Sequence, residues 1–470
     1  MLDLLFAPLY LALLFVQWRI KEPFARSHAI FFLLFCPLLH FATLATGQLE
    51  STYSPYGTVT AHLLALSYVT FFFAGSQILS RHLPHAKEVT ALASHVGTAA
   101  VSLALLAWIA IKIYLMAKYG VSAFLVLGAV AAENKSSFVA PLDTAVSMYA
   151  GYFAVGVTVA YFIRVVSGSI RWNNPTSIIV AIFLAAYVLT GDTPLGARRF
   201  ILLLVLLTLS IAVANRPDHA PSARSRASSF RLIILCVILA GGFSMYYQLI
   251  RNNFYSDKNW EQLQSGKPLA MLAAVADSMI PSHDGNSETE EVAQLRPGPF
   301  ELLGKLSDRL FDGTRTTDGE LVWRSTQSVI PRVLVAGGKQ PFSTDNFVSA
   351  AFDVEPEGAY IDRDLPMSLS AIFLADFGFM GALIAPIIML LAISAMAYML
   401  KRLGPRSPVY VIVIFGAMFQ VIGIVEGELI AFLATLRELI ALVVLVSLGR
   451  TSLSVVREVL IYATRRARAN

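Results

Sequence analysis

The chain has 470 residues, 56% hydrophobic and 14% charged, with a formal net charge of +5 and a mean hydropathy of +0.65. A water-soluble domain carries roughly 25% charged residues, so the composition excludes an ordinary soluble enzyme and predicts an all-α polytopic membrane protein. Cys36 and Cys236 both lie inside apolar runs. That excludes a disulfide framework and makes both small core residues, and the eight scattered histidines lack metal-ligand spacing.

Apolar runs long enough to cross roughly 30 Å of hydrocarbon recur along the chain. Eleven spans are predicted, over 3–18, 28–45, 58–79, 97–117, 144–165, 175–190, 200–215, 230–250, 368–400, 409–425 and 428–448. The first, "LDLLFAPLYLALLFVQW", has no basic stretch before it and no small-residue cleavage site after it, so it reads as an anchor. The ninth is long enough to be tilted, or broken near Gly378 and Gly381. The spans divide the chain into helices one to eight (1–250), a large polar region (251–367), and helices nine to eleven with a basic tail (368–470).

Orientation follows from basic residues in the short connections. Arg19, Lys21 and Arg26 follow the first span; Arg81 and Lys87 the third; Arg164 and Arg171 the fifth; Arg216, Arg224 and Arg226 the seventh; Lys401, Arg402 and Arg406 the ninth. The tail adds Arg450, Arg457, Arg465, Arg466 and Arg468. Every second connection is basic, which predicts an outer N-terminus and an inner C-terminus. Residues 46–57 then lie outside without a basic residue, and 118–143 reads as a short helix at the outer surface. The polar region carries 11 Lys/Arg against 18 Asp/Glu and also lies outside. "PFELLGKLSDRLF" within it has helical spacing, whereas 281–299 reads as a loop.

"GDTPLGARRF", 191–200, breaks the charge rule, because Arg198 and Arg199 fall outside. They either bind lipid headgroups or serve an anionic ligand at the outer face. Arg251, where the eighth span emerges in "YYQLIRNNFY", either snorkels to the interface or joins them. Three guanidinium groups would form a bidentate site for pyrophosphate. Arg437 stands about nine residues into the last span with Glu438 after it. At that depth a charge costs at least about 2.5–3.5 kcal/mol and faces a polar cavity or an ion-pair partner. Glu426 and Glu428 are carboxylates at the outer end of the same hairpin.

In the polar region, "IPRVLVAGGKQPFSTDNF" combines stiffening prolines, a Gly337–Gly338 turn, and cationic Arg332 and Lys339; Asp345 and Asn346 suit sugar hydroxyls. As composition it is only a structured loop. "IDRD", with Asp362 and Asp364, matches a two-carboxylate metal spacing too briefly to predict a metal. There is no phosphate-binding glycine loop and no Ser/His/Asp arrangement. His40 and His62, near the outer ends of their spans, read as core histidines, with a base as the sharper alternative.

The span layout with a late outer region, "GDTPLGARRF" opening a span, and the Pro-Arg followed by Lys-x-Pro in "IPRVLVAGGKQPFSTDNF" together resemble the Wzy-type O-antigen and exopolysaccharide repeat-unit polymerases of bacteria. The resemblance implies an integral-membrane C-type glycosyltransferase in the bacterial inner membrane, with its active site facing the periplasm. Its partners would be undecaprenyl-pyrophosphate-linked glycans and the lipid bilayer; a polysaccharide chain-length regulator is a further partner it allows, and no nucleic acid is expected. It implies no metal and no cofactor. It assigns catalysis to Arg198, Arg199 and Arg251, with Asp192, Asp345 and Glu428 as candidate bases, and substrate binding to Arg332, Lys339, Asp345, Asn346 and Arg437. An O-antigen ligase or a related lipid-linked glycan transferase fits this layout and donor, and a lipid-linked sugar flippase is the alternative from the transporters, although no internal repeat supports it.

Overall fold

The computed structural model describes residues 2–45, 54–119, 141–171, 173–190, 196–214, 299–330, 342–354, 367–425 and 429–469. Among these residues the secondary structure is helical and holds no strand. Six helices are long and apolar enough to cross a membrane: Pro23–Phe41, Pro55–Leu79, Thr98–Tyr119, Ala145–Val166, Leu369–Arg406 and Leu429–Ser452. Four shorter apolar helices, Leu5–Gln17, Pro175–Tyr187, Phe200–Ala214 and Pro408–Ile422, fall on further expected spans. The expected span 230–250, residues 120–140 of the segment 118–143 expected as a surface helix, and nearly all of the loop expected over 281–299 lie outside the described residues.

The first helices show how proline shapes the bundle. α1 (Leu2–Gln17) is followed by α2 (Pro23–Leu33), a π-helical turn at Leu34–Leu38, and α3 (Leu39–Ala45). Pro37 sits inside that turn and cannot donate a backbone hydrogen bond, so the Leu39 N–H reaches the Leu34 carbonyl five residues back. α2 opens with a built cap: the buried Glu22 carboxylate accepts the Ala25 N–H, and Pro23 fills the first helical position. Burial pushes the Glu22 carboxyl up to about 7, against the pull of the Ala25 and Phe24 N–H groups and of Arg26.

α4 (Pro55–Leu79), α5 (Ala86–Ser94), α6 (Thr98–Tyr119), α7 (Pro141–Val166), α8 (Pro175–Thr190) and α9 (Gly196–Ala214) continue the bundle. Three helices come from the polar region: α10 (Pro299–Phe311), α11 (Glu320–Val329) and α12 (Thr344–Phe352). α13 (Leu369–Leu403), α14 (Pro408–Ile422) and α15 (Leu429–Ala469) complete the chain. α14 is apolar on all sides and buried from Tyr410 to Ile422, which makes it the central element. It meets α7 backbone to backbone: a Cβ at Gly156 would run into the Ile412 carbonyl, and one at Gly416 into the Tyr152 carbonyl. Small residues at such a crossing let helices without a hydrophobic driving force pack closely.

α13 is broken, as its two glycines predict. Gly378 has φ +65°, ψ −159° inside an otherwise continuous 35-residue run. That conformation is open to glycine and costly for any other residue. α15 differs from expectation in length. It is one 41-residue helix, so the basic segment expected as a separate tail continues the last span without interruption.

The helix ends sort into two groups. At one end Arg26 donates to the carbonyls of Ile20 (2.7 Å) and Ser210 (2.9 Å), Arg164 donates to the Val96 carbonyl, and Lys401 lies 3.6 Å from Glu88. This is the end that holds the basic connections. At the other end Lys118 Nζ and the Tyr119 hydroxyl each donate to Asp143 at 2.6 Å, tying the end of α6 to the start of α7. The Lys118 ammonium, helped by the Tyr119 hydroxyl, holds the Asp143 carboxyl below its ordinary range. The polar-region helices dock at this second end. Asp308 on α10 accepts the Ser54 N–H (2.6 Å) and the Ser54 hydroxyl (2.5 Å), which fixes α10 to the first turn of α4.

Candidate functional site at the polar end of the bundle

α9 begins at Gly196, so Arg198 and Arg199 occupy its first turn. A helix start exposes unpaired N–H groups and the positive end of the helix dipole, a setting that favours anions. The level of this turn follows from packing. Ser27 Oγ on α2 donates to Ser210 Oγ on α9 at 3.1 Å. From that point α9 runs back to Arg198 over about 18 Å, and α2 with its continuation runs on to His40 over about 20 Å. The arginine turn and His40 therefore stand at one level, the end at which α10 docks. Phe200 anchors the turn against Tyr187 of α8 (ring centroids 4.4 Å) and Phe419 of α14 (5.0 Å). The side chains of Arg198, Arg199 and Asp345, and the whole of Asp192, Arg251, Arg332, Lys339 and Glu428, lie outside the described residues. Asn346 is exposed in the first turn of α12, where the Ser343 hydroxyl accepts its backbone N–H at 3.3 Å.

Beneath α10 lies a buried ionisable cluster drawn from four elements. Asp3 Oδ1 on α1 accepts from Nε2 of both His40 (3.3 Å) and His62 (3.1 Å). Nδ1 of His40 lies 3.6 Å from Glu301 Oε1 on α10, and Nδ1 of His62 lies 3.1 Å from the Tyr10 hydroxyl. Phe300 stacks on His40 and Phe6 on His62, with centroids 4.4 and 4.1 Å apart. His40 bridges the buried carboxyl groups of Asp3 and Glu301. The imidazoles are held within the packing, which agrees with the core reading of both histidines.

A second constellation surrounds α11. The Asp376 carboxylate, wholly buried just before the break in α13, accepts the N–H groups of Leu321 (3.0 Å) and Val322 (2.7 Å) and the Thr317 hydroxyl. The Thr317 N–H donates to the Ala375 carbonyl at 3.0 Å. Gly319, with φ +89°, turns the chain into α11 at this point. At the far end, Arg437 of α15 donates to the Val329 carbonyl at 2.7 Å and pairs with Glu438. An anion thus caps the positive end of α11 and a cation its negative end, each supplied by a different long helix. Arg437, expected as a substrate contact, makes these bonds while its side chain stays 39% exposed. The Tyr149 hydroxyl of α7 lies beside the Glu438 carboxylate, which is almost fully buried.

Asp3, Glu301 and Asp376 did not stand out as site residues in the sequence. For Asp3 and Asp376 a signal existed: each is a lone carboxylate in an apolar run, and such a group pairs inward when buried. The same signal marks Lys112, buried in α6, which donates to Ser147 at 2.9 Å and sits 5.5 Å from the Trp108 ring centroid. Glu301 gave no such signal, because acidic residues are common throughout its region. Among the described residues no group of three or more His, Cys, Asp or Glu side chains is arranged to hold a metal ion. No protein-family model, no curated protein and no solved structure matches the chain.

Proposed function

We propose that the chain is an integral-membrane glycosyltransferase that polymerises undecaprenyl-pyrophosphate-linked oligosaccharide repeat units at the periplasmic face of the bacterial inner membrane. In this reading the chain has eleven spans with the N-terminus outside and the C-terminus inside. The observation that carries it is the start of α9: two arginines in the first turn of a helix, at the end of the bundle where the polar helices dock. The glycosidic C1–O bond to pyrophosphate breaks, and the leaving phosphate oxygen keeps the electron pair. Fixed cations and helix N–H groups stabilise that growing charge most where water is excluded. The acceptor hydroxyl attacks C1, and its proton passes to a base. His40 and His62 are engaged with Asp3, so Asp192, Asp345 and Glu428 are the candidates for that role. Arg251, Arg332 and Lys339 are assigned to the donor phosphates and sugars, and the mechanism calls on no metal or cofactor.

The test is reconstitution of the purified protein with a synthetic undecaprenyl-pyrophosphate repeat unit. A ladder of glycans is expected without added nucleotide or metal. Transfer only when lipid A-core is supplied would replace the polymerase with a ligase, and no new glycosidic bond would leave a transporter. Arg199→Ala is expected to lower elongation by a factor of about 10²–10³ with membrane insertion unchanged. Wild-type chain length in that variant would remove the arginine turn from the mechanism.

A further inference from the structure

α11 has one face turned into the bundle and one turned away from it. Its buried stripe is Leu321, Ser325 and Val329, one residue per turn. On the opposite side Trp323 is 61% exposed. Among the described residues no ring contact or side-chain hydrogen bond engages its indole. Glu320 and Arg324 flank it, and the Arg324 Nε donates to Glu320 Oε1 at 2.9 Å. The Arg324 guanidinium is also held over Phe347 and Phe342 of the α12 segment, 5.1 and 5.8 Å from the ring centroids. The flat indole is therefore bordered by hydrogen-bonding groups whose charges cancel.

We propose that Trp323, with Glu320 and Arg324 beside it, is a saccharide-binding platform on which a sugar ring of the glycan stacks. This rests on the polymerase reading for its purpose and on α11 for its chemistry. A sugar ring offers an apolar C–H face to an aromatic plane and hydroxyls at its edge to carboxylate and guanidinium groups. A neutral rim suits a hydroxyl-rich ligand better than a phosphate or a lipid headgroup, which would need an unpaired cation. The Asp376 and Arg437 bonds at the two ends of α11 hold the platform in place before the ligand arrives, so little ordering is lost on binding.

The competing occupant is the bilayer interface, where tryptophan also collects. Wild type, Trp323→Phe and Trp323→Ala are compared in phosphatidylcholine nanodiscs, with tryptophan emission read as the part that each variant loses. A panel of soluble hexasaccharides, among them maltohexaose and chitohexaose, is the first probe, and nanodiscs of brominated phosphatidylcholine are the second. At least one glycan is expected to change the Trp323 emission while brominated lipid does not. Strong quenching by brominated lipid, or no response to any glycan, would overturn the platform. In the elongation assay Trp323→Ala is expected to raise the acceptor KM about fivefold to tenfold with little change in kcat, and Trp323→Phe to recover most of it. A matching fall in kcat without rescue by phenylalanine would mean a structural role and would also overturn it. Glycan binding without any glycosyl transfer would keep the platform and remove the polymerase, whereas transfer with no glycan response would remove the platform alone.

Discussion

Replacing His40 with alanine is expected to destabilise the polar end of the bundle by about 2–4 kcal/mol, from truncating a buried side chain and leaving buried polar groups without their partner. The imidazole lies between Asp3 on α1 and Glu301 on α10, and all three side chains are largely buried. Its loss leaves Asp3 with His62 as a remaining partner, and leaves Glu301 facing the gap. The penalty therefore belongs mostly to the junction of α10 with the long helices. Chemical unfolding in detergent measures the total, and limited proteolysis near α10 localises it. The cycle with Glu301→Gln is the sharper check, since it changes the carboxyl group facing His40 while keeping the shape of the side chain. The double variant should be more stable than the sum of the single losses predicts; losses that simply add would mean that His40 and Glu301 do not interact.

Asp376→Ala is expected to cost about 2–4 kcal/mol, from loss of a charged helix cap together with backbone donors left without an acceptor. Leu321 and Val322 lose the oxygens that receive their N–H groups, and Thr317 loses its hydroxyl partner. Asp376→Asn retains an acceptor but not the negative charge at the helix start, so its cost should fall between zero and that of alanine. Hydrogen exchange at the amides of α11 reads this directly, with Leu321 and Val322 accelerating most. Protection unchanged at those two amides in the alanine variant would show that α11 is held by its apolar stripe alone. A separate bond reaches the break in α13: the Thr317 N–H donates to the carbonyl of Ala375, three residues before Gly378. Irregular backbone within a membrane-spanning bundle persists only where other protein groups satisfy it, and Thr317 supplies such a partner to the Ala375 carbonyl.

Much of this architecture could be read along the chain. The run "VYVIVIFGAMFQVI" carries no charge and no polar face, and α14 is buried on all sides. Two glycines in the ninth span mark the place where α13 breaks. "PFELLGKLSDRLF" has helical periodicity and forms α10. The segment after 448 shows the opposite case. Its arginines suggest a tail beyond the membrane, yet they do not oppose a helix, and α15 runs on through them. Residue 437 was legible as a charge at depth, but not its engagement with the Val329 carbonyl, 108 residues away.

Helix formation and membrane compatibility depend on a window of some twenty residues, the length needed to satisfy every backbone group and cover the hydrocarbon. Composition and the order of apolar runs are enough to specify both, and the alternation of basic connections adds a sense of direction. The meeting of particular charges is a different kind of fact. Asp3 finds His40 and His62, Asp376 finds the start of α11, and Arg437 finds its end through the packing of helices that lie tens to hundreds of residues apart. A lone acid in an apolar run must be paired because its burial is costly, and that much is local. Which partner it takes depends on helix rotation and depth, and only the assembled bundle decides those.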